Sequence, residues 1–246
     1  MTLASSHDLD GQRALVTGAT SGIGRAIALQ LAADGAQVLV HGRDADRGAE
    51  TVRAIERAGG RATFISGDLS DPAAIASVAR ESLPVDILVN NAGFSLFGAT
   101  AELTAEQLDA LFAANVRGPF LLVGAIAPAM VARGSGAIIN ITSMAARIGL
   151  ARGAAYGAAK AAVEAMTRAW AAEYSAQGVR VNAIAPGPVY TEGAARERTD
   201  TLGATTAMRR AATADEIARV VSFLASSRAS FMTGATIAVD GGRTAI

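Results

Sequence analysis

Cysteine is absent from the 246-residue sequence. That excludes disulfides, thiolate metal sites and a cysteine nucleophile, and it fits a cytoplasmic setting. Histidine is almost absent: only His7 and His41 occur, so neither a histidine-based triad nor a multi-histidine metal site is expected. Aromatic residues make up 4% and the formal net charge is zero, with no long basic run. Nucleic acid is therefore not an expected partner. No secretion signal is expected from "MTLASSHDLDGQR", which has no basic start and no apolar core. The longest apolar run, Phe120–Ala132, is short for a bilayer span and carries Gly124 and Pro128, so no membrane partner is expected either. Lysine is the scarcest charged residue. Every basic position is arginine except Lys160, in "YGAAK".

What is present is an alternation of short apolar runs with longer alanine-rich amphipathic segments. Strands are expected near 13–18, 37–42, 62–68, 86–91, 136–142, 180–186 and 236–241, and helices near 23–34, 44–58, 71–82, 104–132, 154–177 and 214–226. Strands that are apolar throughout, rather than alternating, are buried on both faces. The β–α alternation then predicts an α/β fold, a doubly wound parallel sheet flanked by helices. No linker or repeat divides the chain, so residues 1–246 are expected to form a single domain. The stretch 188–212 is the least regular and is expected as a mobile substrate loop, over 189–212. Ligands of such sheets sit outside the carboxyl ends of the strands, where the chemistry should lie.

After the first strand comes "TGATSGIG", Thr17–Gly24. Glycines at 18, 22 and 24 let the backbone approach a pyrophosphate at a helix N-terminus. Gly18, Thr20, Ser21, Gly22, Ile23 and Gly24 are the candidate phosphate contacts. The second strand ends "HGRD": a glycine stands where an NAD site usually places a ribose-binding carboxylate. Arg43 beside it suits the 2′-phosphate of NADP (NADPH), which makes NAD the less favoured cofactor. Asp44 reads instead as the cap of the next helix. "GDLS" offers Asp68 to an adenine edge and Leu69 to its face, although Asp68 to Pro72 also reads as a helix start. "NNAG" offers Asn91, Ala92 and Gly93 as a small-residue bend against the nicotinamide ribose.

Tyr156 and Lys160 are four residues apart, on one face of a helix. A phenol titrates near 10 and a fixed ammonium favours phenolate, so Lys160 is expected to draw Tyr156 down toward neutral pH for acid–base work. A compact ammonium can also hold ribose hydroxyls, which a planar guanidinium would do differently. Ser143, thirteen residues before Tyr156, ends the fifth strand and can donate to the reacting oxygen. It lacks both a histidine base and a G-x-S-x-G turn, so acyl transfer is not expected. Asn115 is a polar interruption of an apolar helix, and a water chain from it to Lys160 is expected.

"TGATSGIG", "NNAG", Asn115, Ser143, "YGAAK" and "PGPVYT" (Pro186–Thr191) fall in an order that resembles the short-chain dehydrogenase/reductase family over essentially the whole chain. The resemblance implies a Rossmann fold with a seven-stranded parallel sheet, and a homotetramer. It implies a catalytic tetrad of Asn115, Ser143, Tyr156 and Lys160, with Tyr156 and Lys160 also touching the cofactor. Pro186, Gly187, Val189 and Thr191 would embrace the nicotinamide, Val189 at its carboxamide and Thr191 near the phosphates. The activity implied is NADP(H)-dependent interconversion of a ketone or aldehyde with an alcohol, by hydride transfer.

The substrate pocket is expected around Ser143 and Tyr156, from Phe94, Leu96, Phe97, Met144, Ile148, Leu150, Tyr190 and Met208. That surface is mostly apolar and suits an apolar small-molecule carbonyl. A 3-oxoacyl-[acyl-carrier-protein] reductase is the alternative within the family, weakened by Ala172 standing before Glu173 where those enzymes commonly carry arginine. A non-catalytic NADP(H)-binding regulator is the alternative of another class, and it would have no need of the Ser–Tyr–Lys set.

Overall fold

The computed structural model describes residues 8–246; His7 lies outside the described residues. Seven strands form one wholly parallel sheet: β1 (Arg13–Val16), β2 (Gln37–Gly42), β3 (Arg61–Ser66), β4 (Ile87–Asn90), β5 (Gly136–Ile141), β6 (Val179–Pro186) and β7 (Thr236–Val239). Their order is β3-β2-β1-β4-β5-β6-β7. The direction of winding reverses between β1 and β4, and that switch point opens the crevice where such sheets take ligands.

Among the described residues, eight α-helices flank the sheet: α1 (Gly22–Ala33), α2 (Ala45–Arg57), α3 (Pro72–Ser82), α4 (Ala105–Phe112), α5 (Gly118–Arg133), α6 (Ala154–Tyr174), α7 (Arg196–Gly203) and α8 (Ala214–Ala225). Successive strand residues feed opposite cores. Ala14 and Val16 join Ile27 and Leu31 of α1 and Val221 of α8, whereas Leu15 joins Ile75, Leu122, Ile126 and Trp170. Leu15, Leu39 and Leu88 are fully buried, each contributing about 1.5–3 kcal/mol of transfer free energy. Helix starts are set by side chains. Asp44 accepts the Arg47 N–H at 3.1 Å and caps α2 as the sequence suggests, and Asp71 caps α3 ahead of Pro72.

Two expectations change. The helix expected over 104–132 is broken by a π-helical turn at Ala113–Arg117. Pro119 has no N–H to offer the Asn115 carbonyl, so the ladder shifts register there, and the Gly118 N–H bonds the Ala113 carbonyl instead. Counted as one stretch, Ala105–Arg133 is long and apolar enough to cross a membrane by length and composition. Here Leu122, Val123, Ile126 and Met130 are fully buried in the second core, the pattern of a core helix. The other change concerns 188–212, which is not a plain loop because it contains α7. Its neck is pinned by a parallel bridge between Val189 and Ala212, with N–H···O bonds of 2.9 Å from Tyr190 to Ala212 and from Ala212 to Pro188.

Candidate active site

Outside the carboxyl ends of β1 to β4 lies a cleft of about 890 Å³. Gly18 and every other residue assigned between Thr20 and Gly24 line it, together with Arg43, Asp68, Leu69, Asn91, Ala92, Gly93 and Thr191. The turn into α1 can only be glycine. Gly18 and Gly22 have φ of +64° and +52°, in the left-handed region. A Cβ on Gly24 would lie 2.2 Å from the Gly18 carbonyl oxygen. Ser21 makes no side-chain cap at the start of α1, so the first helical N–H groups are left to an anion. The cradle fits a dinucleotide pyrophosphate.

Behind the cradle, Thr17 and His41, neither of them among the expected contacts, hold it in shape together with Asn91. The Thr17 hydroxyl accepts the N–H groups of Asn91 and Ala92 at 2.9 and 3.0 Å. Asn91 Nδ2 donates to the carbonyls of Thr17 and Gly18 at 2.9 and 3.2 Å. Asn91 therefore acts first as a brace of the glycine turn. His41, 2% exposed, also lines the cleft and accepts the Gly18 N–H on Nδ1 at 3.4 Å. Burial lowers its pKa to about 4, so the imidazole is neutral at pH 7 and keeps that acceptor. Only a pairing of β1 with β2 brings these groups together.

Three arginines line the cleft at the ends of β2 and β3: Arg43, Arg47 and Arg117. Arg47 Nε is held by Asp44 at 2.7 Å, and Arg117 donates to the Ser70 carbonyl at 2.7 Å. Arg43 has only a long ion pair with Asp68, 3.7 Å between largely exposed side chains, which is energetically slight. It is the least committed cation of the three. Asp68 is partly spoken for, accepting both the N–H and the hydroxyl of Ser70 at 2.9 and 2.8 Å.

The second half of the site stands beyond β4 and β5. Ser143 follows β5, with Oγ accepting the Ala145 N–H at 3.1 Å. Tyr156 lies in the first turn of α6, and burial pushes its phenol above the usual range while the Ser143 hydroxyl beside it opposes the rise. Lys160, 6% exposed, sits one turn on, with Nζ 5.9 Å from the Tyr156 ring centroid and donating to the Ile141 carbonyl at 3.0 Å. Burial lowers the lysine to about 8. The expectation that Lys160 draws the phenol down is corrected here: the ammonium is aimed at a carbonyl, and desolvation of the ring dominates. Asn115 sits in the π-helical turn, fully buried, with Nδ2 donating to Leu111 and Phe94 carbonyls at 3.0 and 3.1 Å. Its Oδ1 has no partner among the described residues, which leaves an acceptor facing Gly93 of the cleft wall.

One feature of "YGAAK" escaped notice in the sequence, its glycine. A Cβ on Gly157 would lie 2.6 Å from the Ala145 carbonyl oxygen, so glycine lets α6 approach the Ser143 segment. Helix propensity alone favours alanine there by about 1 kcal/mol, but the backbone clash outweighs it. Gly157→Ala is expected to lower both melting temperature and kcat, the latter by about tenfold to a hundredfold through misplacement of Tyr156 against Ser143. Thermal melts and steady-state rates on one preparation check this; a variant more stable and equally active would remove the positioning role.

The expected substrate wall is assembled in part. Phe97 lies 5.6 Å, centroid to centroid, from Tyr156. Leu96, Ile148 and Leu150 are half-buried, Phe94 is 45% exposed at the cleft wall, and Met144 is buried. Tyr190 is a correction. Its phenol donates to Asp200, the Arg196 guanidinium lies 5.2 Å over its ring, and it lines a separate cavity of about 350 Å³ against Arg25 and Leu29 of α1. Met208 is 59% exposed, and its backbone N–H donates to the Gly241 carbonyl at 3.0 Å; it does not line the large cleft. Pro186, Gly187 and Val189 do not line the large cleft. They are engaged in pairing with β7, close packing on Asp240, and the bridge to Ala212.

A strand-order reversal above a glycine-built anion cradle is the arrangement of dinucleotide-binding α/β proteins. A family model described as Enoyl-(Acyl carrier protein) reductase matches residues 18–244. Galactitol 2-dehydrogenase (L-tagatose-forming) of Cereibacter sphaeroides is 42% identical, over 96% of this chain and 96% of its own. Cis-4-hydroxycyclohexanecarboxylate dehydrogenase of Sinomonas cyclohexanicum is 39% identical, over 95% and 96%. A crystal structure from Beutenbergia cavernae, proposed to be an NAD(P)-dependent gluconate 5-dehydrogenase and containing NADP at low occupancy, is 40% identical with a TM-score of 0.93. It covers 98% of this chain and 100% of its own. The chain belongs to the short-chain dehydrogenase/reductase family, oxidoreductases that act on alcohols and ketones with a nicotinamide cofactor.

Proposed function

We propose that this chain is an NADP(H)-dependent oxidoreductase that interconverts a small carbonyl compound and its alcohol, with Tyr156 as the acid–base group. One observation carries the reading: the sole lysine is buried one helical turn from a tyrosine that also faces Ser143. When bound, the nicotinamide supplies or accepts the hydride. The chain's own residues do the rest. The glycine turn and the N-terminus of α1 hold the pyrophosphate. Ser143 donates a hydrogen bond to the reacting oxygen, and Tyr156 moves the proton there. A phenol protonated at neutral pH is in the form that delivers a proton to a carbonyl oxygen during reduction, and the phenolate left behind is the form that takes one from the alcohol in the reverse reaction. Lys160 and Asn115 re-supply that proton through water, Asn115 with its free Oδ1.

The substrate body is apolar where it meets Phe94, Leu96, Phe97 and Ile148. Relatives of nearly equal identity act on a neutral polyol and on a carboxylate, so similarity alone does not choose between substrate classes. The 246 residues act as one domain, with 189–212 covering the substrate. A cytoplasmic homotetramer is part of the same reading, and the exposed rings of Phe120 and Phe231 suit subunit contacts.

The NADP preference rests on Gly42 and Arg43. A Cβ at Gly42 would meet the Thr20 Cγ2 at 2.4 Å, so no carboxylate-bearing side chain fits that position unless Thr20 moves. Charge-assisted bonds to a phosphate are worth about 1.5–3 kcal/mol. Arg43→Ala is therefore expected to raise the NADPH dissociation constant by about tenfold to a hundredfold and to change that of NADH little. Fluorescence titration with both cofactors checks this, and equal weakening of the two would count against the assignment. Oxidation of NADPH across a panel of ketones and aldehydes tests the activity itself.

A further inference from the structure

The carbonyl–alcohol reading leaves open what lies at the far end of the substrate, and a cation on α7 speaks to that. Arg198 lies with its guanidinium carbon 5.6 Å over the ring of Phe97. That ring in turn lies 5.6 Å from Tyr156. Two contacts therefore connect a positive charge on the substrate-covering segment to the phenol proposed to handle the reacting oxygen. The other arginines of this rim are committed. Arg152 pairs with Glu102 at 3.1 Å, Arg210 with Glu216 at 2.7 Å, and Arg209 donates to the Ala204 carbonyl at 3.1 Å. Arg196 lies over Tyr190, which lines the other cavity. Among the described residues, no carboxylate lies within ion-pair distance of Arg198. A guanidinium laid on an aromatic face also keeps its N–H edge free, in the planar fork that matches a carboxylate.

We propose that Arg198 is a specificity-determining residue that binds an anionic group of the substrate, and that the substrates are small oxo and hydroxy acids whose carboxylate lies several bonds from the reacting carbon. The apolar wall around Phe97 and Ile148 takes the carbon skeleton, and Arg198 takes the charge at its end. The inference rests on the carbonyl–alcohol activity proposed above. It goes beyond that activity by replacing a wholly apolar substrate with an amphiphilic one.

The test uses the full chain with NADPH and a panel of linear and cyclic oxo acids, each matched with its methyl ester. In the wild-type protein kcat/KM for the best acid should exceed that for its ester by about tenfold or more, equivalent to about 1.4 kcal/mol. That ratio should fall when salt is raised from 50 to about 500 mM, a range over which the screening length shortens from above 10 Å to a few ångströms. In Arg198→Gln the ratio should collapse to within about twofold, whatever the ester rate, and Arg198→Lys should restore part of it. A salt-insensitive ratio near one in the wild type, or a ratio that survives in Arg198→Gln, overturns the inference. Absence of NADPH oxidation with every acid and ester would count against the proposed activity instead. In that case, calorimetric binding of the acids and esters to the NADPH-loaded protein reads the same preference without turnover, and acids that bind no more tightly than their esters overturn the role of Arg198.

Discussion

Tyr156→Phe is expected to reduce kcat by about a thousandfold, near the middle of the range for loss of a positioned general acid, while the NADPH dissociation constant stays nearly unchanged. The substitution removes one oxygen and little else. The ring keeps its contact with Phe97, 5.6 Å between centroids, and the hydroxyl's neighbour is that of Ser143. What disappears is the phenol hydroxyl that the fold sets beside the Ser143 hydroxyl. A hydrogen bond directed at charge that develops only in the transition state is worth about 3–4 kcal/mol when deleted. The loss should thus appear in kcat and kcat/KM alike and leave binding largely alone. Steady-state kinetics with the best carbonyl substrate, beside fluorescence titration of NADPH, separates the two quantities. A Phe variant with near-native kcat would show that the proton comes from elsewhere, and with it the assignment of Ser143 as partner would fall.

The architecture was legible because its signals are local and repeated. Leu15, Leu39 and Leu88 interrupt runs whose neighbours are just as apolar, and only a strand buried on both faces needs that composition. The glycine turn was legible for a different reason: positions 18 and 22 adopt left-handed backbone and position 24 has no room for a Cβ, so the sequence has little freedom there. Asp44 announced a helix start through its own chemistry. What was missed depends on contacts distant in sequence or on competition between terms. His41 looks like a strand residue until β1 lies beside β2 and the Gly18 N–H points at its ring. Tyr190 follows a conspicuous motif, yet its direction is decided by Asp200 on α7 and Arg196 over its ring. The π-helical turn left a trace in Gly118–Pro119, legible only by asking which carbonyl Pro119 leaves unpaired. The phenol of Tyr156 shows the limit best. Spacing places Lys160 beside it, but spacing does not say whether the ammonium or the loss of water governs the ring.

Lys160→Met should abolish carbonyl reduction and, unlike most losses of a buried polar contact, should change stability in a pH-dependent way with a defined sign. The lysine is 6% exposed, and burial lowers it from 10.5 to about 8. Between those values the unfolded chain holds a proton that the folded chain has released, so the wild type gains stability as pH rises through that window. Below about 8 the buried ammonium carries its full desolvation cost, which for a shift of this size is about 3 kcal/mol. The Ile141 carbonyl, 3.0 Å from Nζ, offsets part of it, since a hydrogen bond to a charged group contributes about 1.5–3 kcal/mol. At pH 7 the methionine variant should therefore be close to the wild type or slightly more stable, by up to about 1 kcal/mol, or 2–4 °C in a domain of this size. Between pH 7 and pH 10 the wild type should gain about 2.5 kcal/mol on the variant and overtake it, because its buried lysine becomes neutral over that range while the methionine variant is unaffected by pH. Urea unfolding of both proteins at pH 7, 8.5 and 10 reads this directly. A stability difference that does not change with pH would mean that the ammonium is not desolvated as the structure implies. The same titration bears on activity: reduction by the wild type should decline as pH rises through about 8, where the cation beneath Tyr156 is lost, and a flat profile across that range would leave Lys160 as an anchor for the cofactor rather than a participant in proton supply.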